Sequence, residues 1–213
     1  MWGGGNRIAG RTAPLTSAVL FVGAACDTPN IRASFQREAT LRRTDPQTYN
    51  TAMIRAATVA DVSAITRLIR GLAEYEKLSH KFTLNEDNLR QHLFGPRPYA
   101  EVLLAEDASQ VVGFALFFHN YSTFRGQPGI YLEDLFVEPS HRGQGHGKAL
   151  LLALARLAVQ RECGRLEWTV LNWNQPAIDF YRSLGAVPMD EWTGYRLSGD
   201  ALTSLAGMGE TRP

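Results

Sequence analysis

The run YLEDLFVEPSHRGQGHGKALL, Tyr131 to Leu151, constrains this chain more than any other stretch. A segment with strand character meets a loop holding Gly143, Gly145 and Gly147, and residues with helical spacing follow. That order brings free backbone N–H groups and the positive end of a helix dipole together, as a phosphate site requires. Two common phosphate loops fail on spacing. The dinucleotide pattern G-x-G-x-x-G would need its third glycine at Lys148 or Leu150. The P-loop pattern would need glycine at Arg142 and a hydroxyl residue at Ala149. What remains is an R-x-x-G-x-G loop, Arg142-Gly143-Gln144-Gly145-His146-Gly147, ahead of Lys148. It is a candidate cradle for a pyrophosphate, with Arg142 adding charge at its mouth.

Periodicity sets the surroundings of this loop. Met53–Ala57 reads as a short strand, and Thr58–Asp61 as a capping box. Val62, Ile65, Leu68, Leu72 and Tyr75 then form one apolar helical stripe. A second box, Thr83–Glu86, is expected to open a shorter helix that Gly95 and Pro96 stop. Val102–Ala105 and Val111–Phe118 read as a hairpin, and a loop at His119–Gly129 leads to a strand at Ile130–Val137. A helix from about Gly145 to Arg161 buries Leu150, Leu151, Leu154, Leu157 and Ala158. A strand at Leu166–Val170 precedes a short helix capped by Asn174, with Pro176 in its first turn and Gly185 at its end. Ala186–Leu205 suggests a further strand pair. The order β-α-α-β-β-β-α-β-α-β predicts a mixed α/β domain.

Residues 1–52 show no sustained period and carry six arginines against three acids, a net +3 in a chain of net charge +1. They are expected to be a leader outside the fold. The remainder is then mildly acidic, and the balance points neither to nucleic acid nor to an anionic membrane. No apolar run reaches the roughly 18 residues of a membrane span. Cys26 and Cys163 lie in unrelated regions, the five histidines are scattered, and no spacing suits a metal site. Two unpaired cysteines fit a reducing compartment, so the expected location is cytoplasmic.

With its flanks, the loop resembles the Gcn5-related N-acetyltransferase (GNAT) family over roughly Met53 to Leu205. Within that family, LAEYEKL (Leu72–Leu78), YLEDLFV (Tyr131–Val137) and WNQPAIDFY (Trp173–Tyr181) resemble diamine acetyltransferases, the spermidine/spermine and thialysine enzymes. The resemblance implies a central, mostly antiparallel mixed sheet flanked by helices, in an N-acetyltransferase domain over residues 53–213. It implies acetyl-CoA as co-substrate, no metal, a small-molecule amine as acceptor, and a homodimer. It places Tyr75, Glu76 and Glu133 at the amine and Leu135, Phe136 and Val137 along acetyl-CoA. Arg142, Gly143, Gln144, Gly145, His146, Gly147 and Lys148 would hold the pyrophosphate. Asn174, Gln175 and Pro176 would touch the cofactor, and Tyr181 would be the proton donor.

The chemistry asks for such groups. An aliphatic amine with a pKa near 10.4 holds its proton at pH 7, and exposing its lone pair costs about 4–5 kcal/mol. Glu133 is the expected acceptor of that proton, directly or through water. Strand alternation turns Asp134 to the opposite side, as a structural residue. A strand N–H near Leu135–Val137 can stabilise the oxyanion, and the Tyr181 phenol can protonate the departing thiolate. Direct attack within a ternary complex needs no nucleophilic side chain. Asn120–Gly129 holds Ser122, Thr123 and Arg125 but no acid, which favours a carboxylate-bearing amine over a long polycation. The alternatives are polyamine or protein acetylation, or a coenzyme A-binding module without turnover.

Overall fold

The computed structural model describes residues 53–208. The expected leader therefore lies outside the described residues. The chain divides into two compact units, with the boundary between Trp168 and Thr169.

The first unit is a five-stranded sheet. Its strands are β1 (Met53–Ala56), β2 (Glu101–Asp107), β3 (Gln110–Ser122), β4 (Gln127–Val137) and β5 (Leu166–Trp168), in that spatial order. Neighbours pair antiparallel except β4 and β5, which run parallel over Ile130–Leu132 against Leu166–Trp168. Two helices, α1 (Val62–Tyr75) and α2 (Glu86–Phe94), join β1 to β2, and α3 (His146–Gln160) joins β4 to β5.

The apolar periods explain the layers. Val62, Ile65 and Leu68 of α1 pack with Leu89 and Leu93 of α2 on Val102, Leu104, Phe114 and Phe136 from the sheet. Leu103 and Ala105 alternate to the other face, where α3 packs with Leu150, Leu154 and Leu157 buried. Ahead of α1, a 3-10 turn at Val59–Asp61 forms the expected capping box, the Asp61 carboxylate accepting the Thr58 N–H at 2.7 Å. Arg55 grips the same carboxylate at 2.8 Å and holds it down at a pKa of about 2.

Three expectations change. The cap of α2 is Asn85, whose carboxamide accepts the N–H groups of Asp87 and Asn88 at 2.9 and 3.1 Å. Thr83 lies too far upstream for that, and Glu86 is the first helical residue. The supposed loop at His119–Gly129 is mostly ladder: His119–Ser122 pair with Gln127–Ile130, leaving Thr123–Gly126 as the connection. The polar side chains there alternate along a hairpin, so polarity alone misleads.

The second unit contains α4 (Gln175–Ser183) and α5 (Gly199–Gly207). Its third correction is that Ala186–Leu205 forms no strand pair among the described residues. Val187, Trp192, Tyr195 and Leu197 are exposed, without the ladder that would bury alternate residues. Pro188 also withholds a ladder N–H. Asn174 caps α4 as expected, accepting from Ala177 N–H at 3.4 Å, and Gly185 follows the helix at φ 86°.

Candidate active site

The glycine loop stands where the spacing put it. After β4, a 3-10 turn at Pro139–His141 leads into Gly143 at φ 76° and Gly145 at φ 90°, the latter capping α3. Both sit in the left-handed region that favours glycine, and nothing lies within 4 Å of the Cβ either would carry. The loop is therefore open outward, with the helix N-terminus behind it. Gln144 folds back to the Ser140 carbonyl at 3.3 Å, and Lys148 is exposed on the first turn of α3.

Two loop side chains turn elsewhere. His146 is fully buried, on the α3 stripe that continues through Leu150 and Leu154. Both of its ring nitrogens lack a hydrogen-bond partner, and Asp107 Oδ2 is 3.9 Å from Nε2, beyond hydrogen-bond reach. Only its backbone is available to a loop ligand. Its place four residues before Leu150 is the signal that sequence reasoning missed. Arg142, expected at the mouth, donates from Nε to the Val137 carbonyl at 3.0 Å. Its guanidinium lies 4.3 Å over the Tyr75 ring and 5.5 Å from that of Phe136. A cation held on two π faces ties the loop to the end of α1.

Strand β4 is interrupted where its acids stand. Leu116 pairs with Asp134 and Phe117 with Leu132, so Glu133 is the extra residue of a β-bulge. Beyond Leu132, β5 no longer pairs with β4. The β4 edge from Glu133 to Val137 thus has no strand on that side among the described residues. Such an edge can pair with an extended ligand through main-chain groups. Leu135 is half-buried, whereas Phe136 and Val137 are buried. The Phe136 ring belongs to the core under α1, so its backbone, not its ring, faces that edge.

A cleft of about 520 Å³ opens between the end of α1, the turn after it, α2 and β4. Glu76, which caps α1, and Asp134 both line it. Asp134 stands two residues before Phe136 and shares its face, toward α1. Burial, then the negative charges of Glu133 and Glu76, raises the Asp134 carboxyl to about 6. Burial also raises Glu76 above its ordinary value. Glu133 is exposed and is not part of the cleft lining. Asp134 was expected to be structural and turned away; the bulge breaks the simple alternation on which that expectation rested. Arg125 reaches toward the Gly164 carbonyl at 3.5 Å and does not line the cleft.

In the second unit, Tyr181 is half-buried on α4, its ring centroid 5.5 Å from that of Phe180. Asn174 is buried at the cap, whereas Gln175 and Pro176 are exposed in the first turn. The Gln175 amide donates to Asp179 at 2.7 Å.

Comparison with known proteins bears on the same elements. The model of the acetyltransferase (GNAT) family matches residues 64–186. The thialysine N-epsilon-acetyltransferase of Bos taurus is 42% identical over 166 residues, 73% of this chain and 97% of its own. The L-ornithine N5-acetyltransferase of Arabidopsis thaliana is 35% identical, covering 71% of this chain and 86% of its own. Among solved structures, an integron cassette protein of V. cholerae gives a TM-score of 0.63 at 29% identity, over 73% of this chain and 97% of that one. The family match spans the α1 stripe from Ile65 onward, the bulged strand, the glycine loop and the Asn174-capped helix. On that agreement, this chain belongs to the GNAT acetyltransferase family and is an acyltransferase.

Proposed function

We propose that this protein moves the acetyl group of acetyl-CoA to the primary amine of a small molecule, a lysine-like amine or a diamine. The observation that carries this reading is a cleft lined by two acids with raised pKa beside an open β4 edge and an outward-facing glycine loop.

The pyrophosphate would lie on the backbone N–H groups of Gly143–Lys148, and the pantetheine arm along the β4 edge at Leu135–Val137. Asn174, Gln175 and Pro176 would complete the cofactor contacts. The amine would enter the cleft at Glu76 and Asp134, with Tyr75, the residue before Glu76, contributing from outside its lining. Asp134, with a pKa of about 6, is matched to receive a proton near neutral pH. Glu133, beside it and exposed, would pass that proton to water. The neutral amine attacks the thioester carbon, and a β4 N–H stabilises the oxyanion as it forms. As the C–S bond breaks, Tyr181 would protonate the sulfur of coenzyme A. No covalent acyl-enzyme is needed, because positioning supplies much of the acceleration.

The homologues support the class of acceptor: those named above are called a thialysine and an ornithine acetyltransferase. A cytoplasmic homodimer is part of the same reading. The exposed Trp192 and Tyr195 are compatible with a covered surface there.

The test is a panel of small amines with acetyl-CoA, read by release of free thiol, alongside calorimetric binding of coenzyme A. We expect turnover with at least one short primary amine. Gly145→Ala should weaken coenzyme A binding about tenfold, because a Cβ at φ 90° forces the loop to rearrange. Unchanged binding in that variant, or no thiol release with any amine, would sink the proposal.

A further inference from the structure

We infer that Arg142 is a positioning residue that couples the two substrate sites, so that coenzyme A on the glycine loop and an amine in the cleft strengthen each other's binding. This rests on the acetyl-transfer reading above and concerns how its two sites communicate.

Arg142 stands between those sites. It immediately precedes Gly143, the first left-handed residue of the loop, yet its side chain engages the elements that carry the cleft acids. Its guanidinium lies 4.3 Å over the ring of Tyr75, the last residue of α1, and Glu76 follows directly. The same group is 5.5 Å from the Phe136 ring, and its Nε donates to the Val137 carbonyl at 3.0 Å. Both residues belong to the strand that carries Asp134. Here α1 and β4 also meet directly, because a Cβ on Gly71 would stand 3.1 Å from two atoms of the Phe136 ring. One side chain of the loop thus touches both elements that bring an acid to the cleft.

The end of α1 is built to pass a displacement on. Lys77 adopts φ 60°, and the helix closes in a Schellman motif. The Leu78 N–H donates to the Ala73 carbonyl at 2.8 Å and the Lys77 N–H to the Glu74 carbonyl at 3.1 Å. The Glu76 N–H donates to the Leu72 carbonyl at 2.9 Å. Three successive N–H groups therefore fix Glu76 and Leu78, which line the cleft, relative to Tyr75. A shift of the Tyr75 ring carries the Glu76 backbone with it. An anion held by the backbone N–H groups of Gly143–Lys148 would fix the loop, Arg142 with it, and Tyr75 through the stack. Lysine cannot reproduce this contact, since an ammonium has no flat face to lay on a ring while a second nitrogen holds a carbonyl.

The experiment measures Kd of coenzyme A by calorimetry, with and without a saturating amine. The amine is whichever of L-lysine, L-ornithine and 1,4-diaminobutane is turned over best. Wild type should bind coenzyme A at least about fivefold more tightly with the amine present, the lower end of ordinary coupling between sites. Arg142→Lys, which keeps the charge, should bring that factor to within twofold of one, and coenzyme A alone should bind within about threefold of wild type. Tyr75→Leu should do the same from the other side of the contact, although Tyr75 is not part of the loop. Tyr75→Phe keeps the ring face and should keep the factor. The Arg142→Lys/Tyr75→Leu double variant should lose no more than either single one. Arg142 is exposed, so Arg142→Lys should melt within about 2 °C of wild type. A wild-type factor within twofold of one overturns the inference, as does a factor that survives in both Arg142→Lys and Tyr75→Leu. Equal losses in Tyr75→Phe and Tyr75→Leu would assign the effect to the hydroxyl and overturn it too. Each of these leaves turnover and coenzyme A binding in place, and so spares the acetyl-transfer reading. Failure of wild type to bind coenzyme A, or to turn over any amine, removes that reading and this inference with it.

Discussion

Asp134→Asn is expected to stabilise the fold at pH 7.5 while removing most of the activity. The Asp134 carboxyl is half-buried and raised from 3.8 to about 6, by burial first and then by Glu133 and Glu76. The folded protein thus holds that proton more tightly than the unfolded chain. Between the two values folding takes up protons, so stability falls as pH rises, and above about 6 the full penalty is present. A shift of that size corresponds to about 3 kcal/mol. Asparagine removes the charge and keeps the shape, so a gain of about 1–3 kcal/mol is expected. That is roughly 3–10 °C in melting temperature for a chain of this size. At pH 4 the aspartate is protonated in the fold, and the gain should shrink toward zero.

Turnover should move the other way, by about 10²–10⁴-fold in kcat, because the amine loses its proton acceptor. For wild type, kcat/KM should rise with pH through about 6. Glu133→Gln separates the two acids: exposed and in the bulge, Glu133 should leave melting nearly unchanged and cost less activity than Asp134. An Asp134→Asn protein that melts lower at pH 7.5 yet turns over normally would refute the assignment. A larger kinetic loss in Glu133→Gln would return the acceptor role to Glu133.

Tyr181→Phe should reduce kcat about 10²-fold or more while KM for acetyl-CoA stays within a few-fold. The substitution deletes one oxygen and keeps the ring beside Phe180, so packing is preserved. If Tyr181 only fills space on α4, kcat is unaffected and melting carries whatever change there is. If it protonates sulfur, the loss appears in single-turnover measurements with melting unaltered. It should also be relieved by thioesters with more acidic thiols, which leave without a proton. Wild-type kcat in the phenylalanine variant would assign protonation to solvent.

The parts of the site made of backbone were legible in the sequence. Gly143 and Gly145 do adopt the left-handed turn that the R-x-x-G-x-G spacing required, and α3 begins at His146 just beyond it. The α1 stripe and the Asn174 cap follow from local rules, since periodicity and capping involve residues within a few positions of one another. Side-chain directions were less legible. His146 reads as a loop residue until helix phase joins it to Leu150 and Leu154 in the buried stripe.

The sequence by itself determined the order of elements as far as α4, the glycine turn ahead of a helix, and the pairing of acids with that turn on one strand. Tertiary structure decided which acid meets the cleft, where Arg142 points, and that Asp134 shares a cavity with residues of α1 and α2 more than forty positions before it. The reason is physical. Turn and helix preferences act between neighbours, whereas a bulge exists only against a partner strand. A carboxyl pKa rises only when remote elements exclude water from it. Glu133 and Asp134 are adjacent in the chain, yet β3 and α1 give them different environments.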